Sequence, residues 1–142
     1  MLSISSKQHF GQYKNNITNK GAEYISKSIL YLNSLTKLNL LLSGTKISNS
    51  GAEFISQSIQ QLNILTELGV DLSGNKISNV GAEFISKSIQ KQNSLKKLSL
   101  LLSENNISDY GVDYISKSIQ QLISLKQLVL VLSLLFSVNF LY

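Results

Sequence analysis

Apolar residues along this chain follow two periods, and the two alternate. Within the first long leucine run, Leu38, Leu40 and Leu42 alternate with Asn39 and Leu41. A period of two is typical of a strand that buries one face, so this run predicts a strand.

The residues that follow each strand change to a helical period. Ala52, Ile55, Ile59 and Leu62 are spaced three, four and three residues apart. This spacing places them on one side of a helix of about three turns, so strand and helix are predicted to alternate along the chain.

Polar residues mark the helix starts. Ser48 or Asn49 can cap the first free amides of a helix, and Glu53 is expected to follow in the first turn, where the helix dipole favours a negative charge. Acid-before-lysine pairs four residues apart are Glu23 with Lys27, Glu83 with Lys87, and Asp113 with Lys117. We expect these pairs to lie on the solvated helix surface, where each adds only a few tenths of a kcal/mol.

The strand and helix together form a unit that returns every 30 residues without gaps. One glycine marks the same place in four units: Gly21, Gly51, Gly81 and Gly111. A single unit cannot bury both its leucine face and its isoleucine stripe, so consecutive units must stack. The sequence therefore predicts an α/β solenoid, with a parallel sheet of adjacent strands and helices covering the back of the sheet.

Two rows of equivalent helix positions are expected to pack between units. The aromatic row is predicted to lie in the core. Its two outermost members are expected to be more exposed to solvent, because a tyrosine hydroxyl needs a hydrogen-bond partner. Its members are Tyr24, Phe54, Phe84 and Tyr114. The serine row, one turn later, is predicted to let neighbouring helices approach, and consists of Ser28, Ser58, Ser88 and Ser118.

The repeated pattern LxxLxLxLxxNxIxxxGAExIxxSI is complete from Leu65 to Ile89 apart from Val70. It resembles leucine-rich repeats of the ribonuclease-inhibitor type, and the resemblance covers roughly residues 15–132. It implies that the sheet forms the concave side of the solenoid, that the helices form the convex side, and that most such proteins are scaffolds for a protein partner.

The resemblance also implies a role for the asparagine that follows each strand, whose amide would bond backbone groups between coils. That role falls to Asn15, Asn75 and Asn105, whereas Thr45 and Leu135 depart from the pattern. We expect a weaker connection at Thr45, because threonine offers a single hydroxyl.

The concave face is predicted to expose the outward-pointing strand positions. The candidate partner-binding residues are Lys37, Asn39, Leu41, Glu67, Asp71, Lys97, Ser99 and Leu101. Leu41, Leu101 and Val131 either form an exposed apolar contact patch or are buried by a twist or bulge of the extended strand. The sequence favours neither interpretation.

The ends differ from the repeats. Residues 1–14 are expected to be an irregular leader without a strand, residues 15–132 the solenoid, and residues 133–142 an apolar extension. The 16 residues from Gln127 onward are too few for a membrane span of about 20 residues, so we expect an uncapped edge strand rather than an anchor. Uncapped ends leave self-association open.

Composition excludes several functions. The chain has no cysteine, no arginine and one histidine, His9, which is expected to be exposed. Without these groups neither an enzyme nor a nucleic-acid-binding protein is expected, and no cofactor is implied. Glu67 and Asp71 alone are a poor metal site, so a solvated face is favoured. The absence of cysteine and of a secretory signal points to a cytoplasmic protein.

The leading hypothesis is therefore a non-enzymatic scaffold that binds a protein on the concave face. One alternative is a regulator of a small GTPase, which would have to position the partner's own groups because the chain has no arginine. Another is a self-associating structural fragment of a larger repeat protein.

Overall fold

The computed structural model describes the backbone of residues 2–5 and the whole of residues 15–133. His9 and Leu135 lie outside the described residues, as does the predicted extension after Ser133.

Strands and helices alternate along the described chain, as the two periods predict. The strands are β1 (Leu2–Ser5), β2 (Lys37–Leu41), β3 (Glu67–Asp71), β4 (Lys97–Leu101) and β5 (Gln127–Val131). The helices are α1 (Asn19–Ile29), α2 (Asn49–Gln60), α3 (Asn79–Gln90) and α4 (Asp109–Gln120).

The strands form one parallel sheet in chain order, from β1 to β5. From β2 to β5, residues 30 positions apart lie directly opposite one another, so Leu38 pairs with Leu68 and Leu68 pairs with Leu98, whereas in β1 Leu2 lies opposite Leu38. The solenoid predicted from the 30-residue repeat is confirmed, because a parallel sheet without offset is what stacked identical units produce.

The core lies between the sheet and the helices. Leu38, Leu40 and Leu42 from the strand segment are at most 2% exposed, and Ile55 and Ile59 from the helix stripe are at most 3% exposed. Burying a side chain of this size contributes about 1.5–3 kcal/mol. The two periods of the sequence therefore meet in one apolar layer.

An asparagine ladder joins the turns that follow the strands. The Nδ2 group of Asn75 donates to the carbonyl oxygens of Leu42 and Leu72, at 2.9 Å each, and its Oδ1 accepts from the Ile47 N–H at 2.9 Å. Asn105 makes the equivalent bonds one unit later. These contacts agree with the role that the resemblance implied.

Thr45 occupies the same place with fewer bonds. Its hydroxyl lies 3.0 Å from the Leu42 carbonyl oxygen and 2.8 Å from Asn75 Oδ1, so one proton serves two acceptors. Asn15, at the start of the continuous described range, is exposed.

A second asparagine ladder caps the helices, and here the structure differs from the prediction that Ser48 or Asn49 caps its own helix. Ser48 is the N-cap residue of α2, but its side chain bonds none of the helix amides. Asn19 Oδ1, from the preceding unit, accepts the Ser48 N–H at 2.8 Å. Asn49 reaches forward in turn and accepts from Ser78 and Gly81. Stacking brings the next helix start within reach, so the caps join units.

The amino end also differs from the irregular leader that we expected. Leu2–Ser5 form β1, which pairs in parallel with β2 from Leu38 to Leu41. The alternation of Leu2 and Ile4 with serine is the period-two signal, but four residues are too short to stand out without the neighbouring strand edge that they pair with. The segment boundaries at residues 14 and 132 remain predictions.

Candidate functional site

The outward positions of β2 to β5 form three rows, which together we call the concave face. The first row contains Lys37, Glu67, Lys97 and Gln127; the second contains Asn39, Gly69, Ser99 and Val129; the third contains Leu41, Asp71, Leu101 and Val131. The parallel register therefore brings all the sequence-predicted binding residues onto one surface.

The first row holds a charged cluster. Glu67 Oε1 lies 2.8 Å from Lys37 Nζ and 3.7 Å from Lys97 Nζ, so it sits between two lysines. The hydrogen bond from Lys37 is the main cause that lowers the pKa of Glu67 below its ordinary value, against the opposing effect of burial. Because the three side chains remain partly exposed, the cluster can exchange these contacts for those of a partner at small cost.

The second row forms the floor of a shallow depression of about 400 Å³, which the first row borders. Gly69 has no side chain, and the Asn39 carboxamide lies over the place where its Cβ would stand. Val129, at the other end of the row, is 52% exposed. The depression therefore offers amide, hydroxyl and apolar groups beside the charged cluster.

The third row is intermediate between the two readings left open by the sequence. Leu41, Leu101 and Val131 are half-buried, so they are neither fully buried nor fully exposed. Asp71 Oδ1 accepts the Ser73 N–H at 3.0 Å and so holds its own turn. With Glu67 bonded to Lys37, each carboxylate has another partner, and no group of three or more metal-ligating residues occurs within residues 2–5 and 15–133.

The aromatic row was predicted to lie in the core, and this prediction is wrong. Phe54 and Phe84 are half-buried, whereas Tyr24 and Tyr114 are 58% and 41% exposed. The outer two members are the wetter ones, as expected. The core position belongs instead to Ile55, one residue further on, which is 1% exposed, and Tyr114 lines a groove between α3 and α4.

The serine row packs between helices as predicted in the units that have a preceding helix. Ser58, Ser88 and Ser118 are at most 3% exposed, and each hydroxyl donates to a carbonyl of its own helix. Ser28 is exposed, because no helix precedes α1 in the described residues.

Sequence reasoning named Lys97 as a binding residue but missed Lys96 and Lys126, which directly precede β4 and β5. We call Lys96, Lys97 and Lys126 the basic corner; all three are exposed, and the Lys126 N–H donates to the Lys96 carbonyl at 2.8 Å. The signal was available, since the row preceding each strand reads Thr36, Thr66, Lys96 and Lys126. This row lies one residue before the first of the alternating strand positions from which the concave face was predicted.

Comparison with known proteins agrees with this architecture. Residues 69–86 match a family model described as a leucine-rich repeat. No curated protein matches the sequence. The solved structure of leiomodin-1 actin-binding site 2 is similar in fold, with a TM-score of 0.59 and 18% identity. The similarity covers 84% of this chain and 65% of that one, so this chain spans just under two thirds of the matched structure.

The described chain thus has the α/β solenoid fold of leucine-rich repeats, and residues 69–86 carry a sequence match to such a repeat. No helix within the described part of the chain is long and apolar enough to cross a membrane.

Proposed function

We propose that this protein is a non-enzymatic scaffold that binds a protein partner on the concave face. The observation that carries the proposal is the depression around Gly69, which places the charged cluster beside amide and apolar groups on one open surface. Interfaces are built from such a mixture of an apolar centre and a polar rim.

Three residues of the concave face have distinct roles in this proposal. Lys97 is held only loosely by Glu67, at 3.7 Å, so its ammonium group is available to an acceptor on the partner. Ser99 offers a hydroxyl at the depression, and Leu101 offers apolar area beside it. Lys37, Asn39, Leu41, Glu67 and Asp71 complete the surface.

We also infer that the repeats are of the ribonuclease-inhibitor type. Support comes from the helices, since each of the four described units carries an α-helix of 11 or 12 residues opposite its strand. Full helices on the back of the sheet are what the sequence resemblance implies.

Site-specific photocross-linking tests the proposed face. A photoreactive residue at Ser99 on the concave face is compared with one at Gln57, which is exposed on α2. Actin is the first purified protein to test, because the matched leiomodin-1 structure is named as an actin-binding site. A cell extract provides the wider search.

We expect cross-linked partners from Ser99 and not from Gln57. Lys97→Ala with Asp71→Ala should then reduce recovery of the same partner. Equal products from the two positions, or products from Gln57 alone, would exclude the concave face as the binding site.

A further inference from the structure

The geometry points to a specific kind of partner: we infer that the concave face receives an acidic protein segment carrying an apolar side chain, and that the basic corner holds its carboxylates. This inference rests on the proposed function and adds the chemistry of the partner to it. Three observations on the described residues carry it.

The first observation is where the positive charge lies. The four helices and their C-terminal caps carry five lysines and five acids, so they are neutral overall; the residues are Lys20, Lys27, Lys87, Lys91, Lys117, Glu23, Glu53, Glu83, Asp109 and Asp113. The strands and turns of residues 15–133 carry six lysines and three acids; the residues are Lys37, Lys46, Lys76, Lys96, Lys97, Lys126, Glu67, Asp71 and Glu104. The strands carry two lysines and two acids and are neutral, so the whole surplus of three positive charges in this range lies in the turns, at Lys46, Lys76, Lys96 and Lys126 against Glu104.

The second observation is that the basic corner is poor in acids. Lys96 and Lys126 directly precede the adjacent strands β4 and β5, which lie about 4.8 Å apart, so two like charges are attached to neighbouring backbone positions and repel each other. Lys97 pairs across the sheet with Gln127, which is uncharged, on one side. On its other side is Glu67, whose carboxylate lies closer to Lys37. A carboxylate from a partner would relieve this repulsion.

The third observation is the apolar surface next to Lys97, the member of the basic corner that lines the depression. Val129 is 52% exposed and lines the depression together with Ser99, while Leu101 is half-buried in the next row. An apolar side chain can enter the depression while flanking carboxylates reach the lysines. Such an anchor surrounded by polar contacts is the usual arrangement of an interaction hot spot.

The same features favour protein over nucleic acid. The chain has no arginine, which makes the bidentate contacts to phosphate and guanine, and the floor of the depression is partly apolar. A polyanion without an apolar side chain would leave Val129 uncovered. Nucleic acid is therefore an outcome that the test must be able to detect.

The test uses a fluorescent peptide of glutamates around one central phenylalanine, with binding measured by anisotropy on the full chain. Two control peptides replace every glutamate by glutamine or the phenylalanine by alanine. The test variant is Lys96→Gln/Lys97→Gln/Lys126→Gln. Its matched control, Lys27→Gln/Lys87→Gln/Lys117→Gln, removes the same charge from the helices, where these lysines bond acids four residues earlier.

We expect the test variant to weaken binding of the acidic peptide by about tenfold or more, since each exposed ion pair contributes up to a few-fold, and the matched control to weaken it by about twofold at most. Binding should weaken as salt rises, and both control peptides should bind less tightly. Circular dichroism of both variants verifies that they fold.

Equal losses in the two triple variants would overturn the inference, because net charge alone would then explain binding. A DNA duplex that binds as tightly and with the same lysine dependence would also overturn it. Ser99 could also cross-link a partner whose affinity changes neither with salt nor in the Lys96→Gln/Lys97→Gln/Lys126→Gln variant. That result would exclude an acidic partner but would still support binding on the concave face. If the acidic peptide binds through the basic corner while Ser99 cross-links no partner, the proposed scaffold function fails instead.

Discussion

Asn49, the first residue of α2, holds the N-cap residue of α3 by two hydrogen bonds to Ser78. Its Oδ1 accepts the Ser78 N–H at 2.8 Å, and its Nδ2 group donates to Ser78 Oγ at 2.9 Å. The same Oδ1 accepts from the Gly81 N–H at 3.1 Å. One side chain therefore satisfies free amides of the next helix and fixes the distance between two units.

Asn49→Ala should destabilise the protein by about 1–3 kcal/mol, because the Ser78 and Gly81 amides lose their acceptor in a partly buried place. Asn49→Asp should cost less, because a carboxylate still accepts from both amides and suits a helix N-terminus. Urea unfolding followed by circular dichroism measures the difference. Equal losses for the two variants would contradict the capping role.

Gln92→Leu should stabilise the protein by about 1–2 kcal/mol. Gln92 is 1% exposed, and its Oε1 has no hydrogen-bond partner within the described residues. Its Nε2 group donates to the Ile59 carbonyl, which would still accept the Leu62 N–H at 3.1 Å. The equivalent residues Leu62 and Leu122 show that leucine fits this position.

Thermal and urea unfolding of Gln92→Leu measure this gain. The reverse change, Leu62→Gln, is the control and should destabilise by about 2 kcal/mol or more. A lower unfolding midpoint for Gln92→Leu would show that the buried amide contributes more than the leucine that replaces it.

Glu104→Gly should stabilise the protein by up to about 1 kcal/mol. Glu104 has a φ of 54°, and the equivalent Gly44 and Gly74 have φ of 62° and 64°. A side chain in this left-handed region costs about 1–2 kcal/mol, partly offset by the greater freedom of glycine in the unfolded chain.

Gly74→Ala provides the opposite change at the same turn position. A Cβ there would find only ordinary contacts, the nearest being the Gly44 Cα and N at 3.5 Å, so the cost arises from the backbone conformation. We expect a loss of about 1–2 kcal/mol in urea unfolding. No change in either variant would mean that this turn relaxes to a negative φ.

Gly69→Thr should weaken partner binding while leaving stability within about 1 kcal/mol of the original protein. The new Cβ meets the Asn39 side chain, whose carboxamide is half-buried and can turn away, and the threonine side chain fills part of the depression. The acidic peptide measures binding, and urea unfolding measures stability. Undiminished binding would mean that the depression is not where the partner's apolar side chain enters.

The Glu23 carboxylate gives a pH prediction. Its hydrogen bonds from Lys20 and Lys27 lower its pKa from 4.5 to about 2. Because the folded pKa is depressed, the stabilisation is fully present above the ordinary value of 4.5 and is lost as the pH falls toward 2. Lys20→Gln should raise the pKa of Glu23, as followed by NMR of the carboxyl carbon. An unchanged titration midpoint would show that the pair does not persist in solution.

The sequence by itself determined the repeat, the alternation of strand and helix, and the face to which each strand residue points. Leu38, Asn39 and Leu40 show why: a strand turns successive side chains to opposite sides, so the pattern of leucines already states which side is buried. A period of 30 residues then leaves stacking as the way to bury both apolar surfaces.

The tertiary structure decided which groups from different units meet. The bonds of Asn49 to Ser78, the position of Glu67 between two lysines, and the neighbouring charges of Lys96 and Lys126 all depend on the offset between adjacent coils. The period of the apolar residues determines where a side chain points within its own unit. Contacts between units also depend on how closely the next unit stacks, and this distance is set by packing between units rather than within one.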